Sequence, residues 1–241
     1  MNTTFAMKTR VTSYDVGPSR TLKPSSILRI IQEVAGRHLE QDGLSYEFMR
    51  EKGIVFLLVK QSVHVNALPK CEEEVTVKTW FERTEGVKFV RNIRFYDNEG
   101  NTLIEAATLW IIADPDTHRI LRPSAFPFEM PKEGSESVDA KIARISVPQT
   151  AADAGVRVVR WSDIDCNDHM NNAVYADIVC DFFPGGLGGS ELRNFQIDFD
   201  GEAALYDEIS IKTAADGQGG AVIAGTVDGR RCFMATAQKA V

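Results

Sequence analysis

Cysteine and histidine, the residues that build disulfides and most metal sites, are scarce in this chain. It contains four cysteines and four histidines in 241 residues, and no two cysteines form a Cys-x-x-Cys pair. Such scattered residues lack the paired ligands of a zinc site and the dense framework of a small disulfide-stapled domain. We therefore expect neither a metal ion nor an organic cofactor.

Long apolar runs and an excess of positive charge are missing as well. No segment approaches the roughly 18 consecutive apolar residues that a membrane-spanning helix needs, and residues 1–15 lack the apolar core of a secretory signal. The net charge is −7, which disfavours nucleic acid as a partner. We expect a cytoplasmic protein without a membrane span.

The densest polar sequence occupies residues 161–183, which read WSDIDCNDHMNNAVYADIVCDFF. Apolar residues recur at helical spacing in its second half, and a Pro-Gly-Gly sequence follows at 184–186. This pattern predicts a helix over Asn172–Phe183, with Asn171 or Asn172 as its N-cap. A polar loop would thus lead into a helix N-terminus, where free N–H groups and the helix dipole favour negative charge.

Three polar side chains alternate within that loop: Asp165, Asn167 and His169. If the loop is extended, all three project to one side. The alternative interpretation is a polar turn that only caps the helix, with His169 as a capping or core histidine. Cys166 lies in the same loop and is an alternative nucleophile, although no second histidine is near it in sequence.

The predicted elements occur twice in the same order, and the length suits one large domain or two of about 120 residues each. Hydrophobic periodicity predicts these elements in the first half: a strand over Phe5–Tyr14, a helix over Lys23–Leu39, and strands over Ile54–Val65, Glu74–Phe81, Val87–Tyr96 and Thr102–Ala113. It predicts these in the second half: a strand over Gly155–Trp161, the helix described above, and strands over Leu192–Phe199, Asp207–Thr213, Ala221–Val227 and Arg230–Ala237.

Local sequence similarity supports the repeat. Residues 14–16 match residues 162–164 at an offset of 148, and EVTVKT at 74–79 matches EISIKT at 208–213 at an offset of 134. Proline is concentrated between the two copies. We interpret residues 1–130 as an N-terminal repeat, 131–150 as a linker and 151–241 as a C-terminal repeat. A curved antiparallel sheet around one long helix, as each copy predicts, is the hotdog fold.

The polar loop resembles that of the fatty acyl-ACP thioesterases of plants and bacteria, which carry Asp-x-Asn-x-His-x-Asn-Asn before the helix of their second hotdog domain. Here residues 165–172 read DCNDHMNN. The resemblance covers essentially the whole chain and implies an α+β double hotdog, that is, two tandem hotdog repeats. It also implies release of free fatty acid from acyl-[acyl-carrier-protein] in fatty acid biosynthesis. The implied partner is acyl carrier protein with an acyl chain on its phosphopantetheine.

The same resemblance implies a catalytic set of Asp165, Asn167, His169 and Glu202, because Glu202 aligns with the family's glutamate after the next strand. Asp165 or Glu202 would act as base or nucleophile, while Asn167, His169 and N–H groups at the helix start would polarise the carbonyl. The first repeat has GPSRT at residues 17–21, with no carboxylate or imidazole. That repeat would provide the acyl-chain pocket.

The sequence departs from the plant enzymes at Ala203, where they have a cysteine. A cysteine nucleophile at that position is therefore impossible in this protein. Two other acidic residues, Asp198 and Asp200, compete with Glu202 if the alignment register slips. Without the resemblance, Glu202 would be interpreted as a solvated loop acid.

Several alternatives stay open at this point. The chain could be an acyl-CoA thioesterase of the hotdog superfamily or a non-catalytic acyl-binding protein, and the two-repeat unit could still form a homodimer. Candidates for lining the acyl pocket are aromatic: Phe56, Trp80, Phe81, Phe89 and Trp110. Candidates for meeting the carrier protein are basic: Arg91, Arg94, Arg119, Arg122, Arg157 and Arg160.

Overall fold

The computed structural model describes residues 3–126 and 136–240. Within them the chain forms three α-helices: α1 (Pro24–Gln41), α2 (Tyr46–Glu51) and α3 (Val174–Asp181). The strands in the first half are β1 (Thr4–Arg10), β2 (Val55–Val65), β3 (Glu74–Glu85), β4 (Lys88–Tyr96) and β5 (Thr102–Ala113). Those in the second half are β6 (Ala152–Val158), β7 (Leu192–Phe199), β8 (Glu208–Ala215), β9 (Gly220–Val227) and β10 (Arg230–Lys239).

All of these strands belong to one antiparallel sheet. Its order is β1-β3-β4-β5-β2-β7-β10-β9-β8-β6, so each half has the same order when the sheet is followed inward from its own edge. The halves meet where β2 pairs with β7 over Lys60–His64. Lys60 Nζ and Asp198 Oδ2, 2.5 Å apart, form an ion pair across this junction. The predicted double hotdog, with its two sheets joined edge to edge, is confirmed.

The two repeats share one core, which holds them together. Helix α1 places a continuous apolar stripe inward, including Ile27, Ile31 and Val34, each at most 1% exposed. It packs against β1, β3 and α3, the helix of the second repeat. Full burial of each such side chain contributes about 1.5–3 kcal/mol. Residues of both repeats form a single apolar cluster, so we expect the repeats to unfold together.

The element boundaries correct several predictions. The first strand ends at Arg10 rather than Tyr14, and β6 covers Ala152–Val158 rather than Gly155–Trp161. Helix α3 begins at Val174, two residues later than predicted, and α2 was not predicted. In the described part of the chain, no helix is long and apolar enough to cross a membrane.

Part of the predicted linker packs on the outer face of the sheet. Val138 and Ala140 are buried against Trp80 in the first repeat, and Ile145 is buried against Met234 in the second. Two hydrogen bonds also fix the backbone of Ala143. Its N–H donates to the Gln196 carboxamide oxygen and its carbonyl accepts from the carboxamide nitrogen, both at 2.8 Å. Residues 131–135 of the predicted linker lie outside the described residues, and its boundaries stay a prediction.

Candidate active site

The polar loop at residues 165–169 is a tight turn and not an extended segment. The Asp165 N–H donates to the His169 carbonyl at 3.0 Å, and the Asp168 N–H donates back to the Asp165 carbonyl at 3.1 Å. Asp168 takes a left-handed backbone conformation with φ of 62°, which aspartate tolerates better than most residues. The turn presents Asp165, Asn167 and His169 toward one cavity nevertheless.

Asn171 organises the start of α3. The N-cap is Ala173, so the prediction of Asn171 or Asn172 is wrong. Asn171 instead accepts the Ala173 N–H on Oδ1 and the Val174 N–H on its carbonyl, both at 2.9 Å. Since these two N–H groups are already bonded, they cannot serve an oxyanion.

Asp165 is committed to the loop itself. Its Oδ1 accepts the Asn167 N–H at 2.9 Å, and its Oδ2 accepts from Asn171 Nδ2 at 3.2 Å. Both carboxylate oxygens therefore fix the backbone of the turn and its connection to α3. This arrangement favours a positioning role for Asp165.

Glu202 lies beside His169, although 33 residues separate them in sequence. The Met170 N–H donates to the Ala203 carbonyl at 2.9 Å, which aligns the segment after β7 with the polar loop. His169 Nε2 is 3.1 Å from Glu202 Oε2, with both side chains partly accessible at 36% and 47%. The pair places a carboxylate in contact with an imidazole where solvent or substrate can reach both.

The two rival acids are engaged elsewhere. Asp198 is 4% exposed and bonds to Lys60 and to Gln196 Nε2. Asp200 lines the cavity but pairs with Arg231 Nε at 2.6 Å. Glu202 is thus the acid after β7 whose recorded side-chain partner is the loop histidine. Within the described residues, no cluster of three or more His, Cys, Asp and Glu side chains is arranged to hold a metal ion.

One cavity of about 830 Å³ joins the polar loop to the first repeat. All four predicted site residues line it, as does Cys166, which is exposed and unbridged. The opposite walls are mostly apolar and come from α1, α2, β2, β3 and β5, with Leu39, Met49, Leu57, Phe81 and Trp110 among them. The cavity therefore places reactive groups of one repeat at an apolar space built by the other.

The predicted aromatic lining is correct in part. Phe56, Phe81 and Trp110 line the cavity. Phe89 is fully buried and packs on Phe56 behind the wall. Trp80 is buried on the outer face of the sheet, where its indole N–H donates to the Glu136 carbonyl.

Helix α2 contributes a residue that sequence reasoning missed. Tyr46 donates its hydroxyl to Asn167 Oδ1 at 2.9 Å, and Arg50 Nη1 donates to the same hydroxyl at 3.2 Å. With Oδ1 so occupied, the Asn167 amide points its Nδ2 donor elsewhere, available to a substrate oxygen. The available signal was Ser45, a good N-cap whose Oγ accepts the Phe48 N–H.

The arginines predicted to meet the carrier protein differ in their exposure and in their ion pairs. Arg91 is 2% exposed, so its prediction as a surface residue is wrong. Arg94 pairs with Glu105 and Glu136, and Arg157 pairs with Asp163. Three remain exposed: Arg119, Arg122 and Arg160. Arg119 directly follows His118, which lines the cavity.

Comparison with known families accounts for both repeats. The family described as "Acyl-ACP thioesterase N-terminal domain" matches residues 2–124, and "Acyl-ACP thioesterase C-terminal domain" matches residues 149–231. The junction between the two matches falls inside the proline-rich region of the sequence.

Solved structures share the fold along the whole chain. An acyl-ACP thioesterase from Bacteroides thetaiotaomicron superposes with a TM-score of 0.85 at 19% identity, covering 98% of both chains. A 12:0-ACP thioesterase from Umbellularia californica gives a TM-score of 0.77 at 18% identity, covering 98% of this chain and 97% of that one. At such identities the similarity establishes the double hotdog alone.

Two curated relatives from plants are similar to most of the chain. An acyl-[acyl-carrier-protein] hydrolase from Cuphea viscosissima is 24% identical over 233 residues, and a palmitoyl-acyl carrier protein thioesterase from Arabidopsis thaliana is 26% identical over 232. The matches cover 89% and 88% of this chain, but only 56% and 55% of those proteins. The chain thus spans about half the length of the curated relatives it matches. With both family domains matched in order, the chain belongs to the acyl-ACP thioesterase family.

Proposed function

We propose that this protein hydrolyses acyl-[acyl-carrier-protein] and releases the free fatty acid, as a step of fatty acid biosynthesis. One observation carries the proposal. The His169–Glu202 pair opens onto a cavity whose other walls are mostly apolar. An acyl chain fits such walls because its burial is favourable by about 0.8 kcal/mol per methylene.

In this proposal the site residues have distinct roles in the reaction. Glu202 takes a proton from water as the water oxygen attacks the thioester carbonyl carbon, and His169 holds the carboxylate through Nε2. Asn167 Nδ2 donates to the developing oxyanion, a contribution of roughly 3 kcal/mol in comparable sites. The C–S bond then breaks, and the leaving thiolate takes up a proton to give the free thiol. Asp165 holds the turn in place.

The partner in this proposal is acyl carrier protein, whose phosphopantetheine arm carries the thioester. Carrier proteins are acidic and this chain has a net charge of −7, so docking requires a local positive patch. Arg119 and Arg122, both exposed, are suited to it because His118 lines the opening. The proposal places the enzyme in the cytoplasm without a nucleic-acid partner, as a monomer or a homodimer of the two-repeat unit.

Release of free thiol from matched acyl-ACP and acyl-CoA substrates tests this proposal. We expect a higher kcat/KM for acyl-ACP, and we expect unacylated carrier protein to compete. The His169→Ala variant controls for background hydrolysis.

The contrary outcomes identify the alternatives. Equal or faster hydrolysis of acyl-CoA, without competition by the carrier protein, would indicate an acyl-CoA thioesterase. Binding of acyl-ACP with no turnover above the His169→Ala background would indicate an acyl-binding protein.

A further inference from the structure

An arginine interrupts the apolar inner face of β4. Side chains alternate along a strand, so Phe89, Arg91, Ile93 and Phe95 share the face that looks toward α1. The three apolar members are fully buried, and Arg91 itself is only 2% exposed. A guanidinium in this position is removed from bulk water, which disfavours it strongly unless it is paired.

The bonds recorded for Arg91 leave much of its donor capacity unused. Nη1 contacts His38 Nδ1 at 2.9 Å and donates to Thr79 Oγ1 at 3.0 Å. The guanidinium also lies 3.9 Å from the centre of the Phe81 ring. Among the described residues, no carboxylate pairs with Arg91 and no acceptor is recorded for Nε or Nη2. An arginine offers five N–H donors, so three have no acceptor among residues 3–126 and 136–240.

Arg91 lines the same cavity as His169 and Glu202. It belongs to β4, which lies two strands away from the β2–β7 junction, whereas the reactive pair belongs to the second repeat. Leu39 and Phe81 line the wall beside it. The cavity therefore has a buried charged group on the first-repeat side, among apolar lining residues proposed to hold the acyl chain.

The fold does not require a charge at this position. In the first repeat Arg91 pairs with Phe81 on β3. The corresponding pair in the second repeat, by equivalent strand registers, is Ala215 with Ala221. Ala221 is buried without any polar group, so the same sheet position is filled by an apolar side chain. Burial lowers the pKa of Arg91 to about 9, which leaves it charged near neutral pH.

We propose that Arg91 binds an oxygen atom on the distal part of the acyl chain, so that the pocket prefers chains bearing a hydroxyl, oxo or carboxylate group over plain hydrocarbon chains. The proposal rests on the proposed thioesterase function and specifies its substrate class. An oxygen acceptor placed against Nε or Nη2 would satisfy donors that a hydrocarbon leaves unpaired. A carboxylate would in addition neutralise the buried charge.

Matched acyl-ACP substrates of one chain length test this inference. They carry a terminal methyl, a terminal hydroxyl or a terminal carboxylate. We expect at least one oxygenated chain to exceed the methyl-terminated chain by about tenfold in kcat/KM, because hydrogen bonds to a charged group are among the stronger ones. The hydroxyl and carboxylate substrates separate a neutral acceptor from a counter-ion.

Two variants assign the preference to Arg91. Arg91→Met keeps an unbranched but shorter side chain and removes its charge, and we expect it to abolish the preference for oxygenated chains. Arg91→Lys keeps the charge and is expected to retain part of it. The inference is overturned if the wild type uses the methyl-terminated chain at least as well as both oxygenated chains. It is equally overturned if Arg91→Met keeps the wild-type ratio.

A binding measurement separates this inference from the proposed function. Free fatty acid and its terminally hydroxylated and carboxylated analogues are allowed to displace a fluorescent fatty acid from the full chain. Tighter binding of an oxygenated acid that Arg91→Met weakens supports the inference even if no thioester is hydrolysed. Hydrolysis of plain acyl-ACP without that difference in binding supports the proposed function and rejects the inference.

Discussion

The loops before α1 and α3 share one backbone and carry two different chemistries. Residues 16–22 and 164–170 are each closed by an isolated bridge between their end residues. Arg20 and Asp168, at equivalent places, have the same φ of 62°. The Leu22 N–H donates to the Pro69 carbonyl as the Met170 N–H does to Ala203. The same backbone bonds close both turns, so their side chains differ without a change in this backbone conformation.

Each loop is covered by the other repeat. Tyr46, between α1 and β2, donates to Asn167 in the second repeat. Glu191, between α3 and β7, accepts from Ser19 and Thr21 in the first. Beside the loop of the second repeat a cavity stays open. In the first repeat the Glu191 carboxylate accepts hydrogen bonds from the hydroxyl groups of the loop. Two equivalent places thus became one reactive site and one structural contact.

Substitution of either residue of the His169–Glu202 pair should give the largest difference between the two loops. We expect His169→Ala and Glu202→Gln each to lower kcat by roughly 10²-fold or more, because each removes a participant in proton transfer. The matched control is Thr21→Ala, which changes the equivalent residue of the first loop and should leave kcat nearly unchanged. Steady-state thiol release measures all three variants. Near-normal turnover of Glu202→Gln would exclude Glu202 as the base.

The next effect concerns two facing strand positions at which the repeats have side chains of different size. Strand registers place Gly225 opposite Phe233 where the first repeat pairs Phe95 with Ile104. A Cβ added at Gly225 would be 2.3 Å from the Phe233 ring. We expect Gly225→Ala to lower the free energy of unfolding by about 1–3 kcal/mol, as measured by urea denaturation.

The matched variants for this clash are Phe233→Leu and Gly36→Ala. Phe233→Leu should restore part of the stability in the Gly225→Ala background, since it removes the obstructing ring atoms. Gly36 lies in α1 with no neighbour within 4 Å of an added Cβ, so Gly36→Ala should stabilise by up to about 1 kcal/mol through helix propensity. Additive effects of Gly225→Ala and Phe233→Leu would contradict the clash.

Loss of the bond across the repeats should have a smaller effect on activity. Tyr46→Phe removes the hydroxyl that orients the Asn167 amide, which corresponds to about 1 kcal/mol and therefore to several-fold in kcat. The mirror variant, Glu191→Gln, should affect stability but not kcat. Comparison of kcat and the urea midpoint for both variants checks this. Equal effects on kcat would show that neither contact is specific to the reactive loop.

The smallest expected effect is a change of stability at alkaline pH, which arises in α3 and not in α1. Burial raises the pKa of the Cys180 thiol to about 12 from an ordinary value of 9.0. The unfolded chain loses this proton near pH 9 while the folded chain retains it, so stability is present below pH 9 and falls as pH rises toward 12. Cys180→Ala should flatten that decline in urea titrations. An unchanged slope would show that other groups dominate it.

Periodicity and local motifs were sufficient to predict the parts of the fold that depend on neighbouring residues. The long helix α1, the strand β5 and the repeated order of elements follow from apolar spacing. Glu202 was found because its position after β7 could be aligned with a known pattern, and the fold then places it beside His169. The roles of all four site residues stay predictions until activity is measured.

Contacts between distant segments could not be predicted from the sequence. The hydroxyl of Tyr46 meets Asn167 across 121 residues, and nothing near either residue indicates the other. Arg91 was interpreted as a surface cation because arginine is mostly exposed, whereas its strand places it on the inner face. The turn at Asp168 was missed because alternation of polar residues does not reveal a left-handed conformation.

The joining of β2 to β7 also affects solubility. A sheet edge exposes unpaired N–H and carbonyl groups that can recruit another chain into an aggregate. Two separate five-stranded sheets would expose four such edges, whereas the continuous sheet exposes two in the described part of the chain, β1 and β6. Lys8 and Arg10 place charges on the first edge, and a bulge between Asp153 and Gly155 disturbs the second. Fusion of the repeats therefore removes half of the surface most prone to aggregation and leaves the remainder protected by charge and irregular pairing.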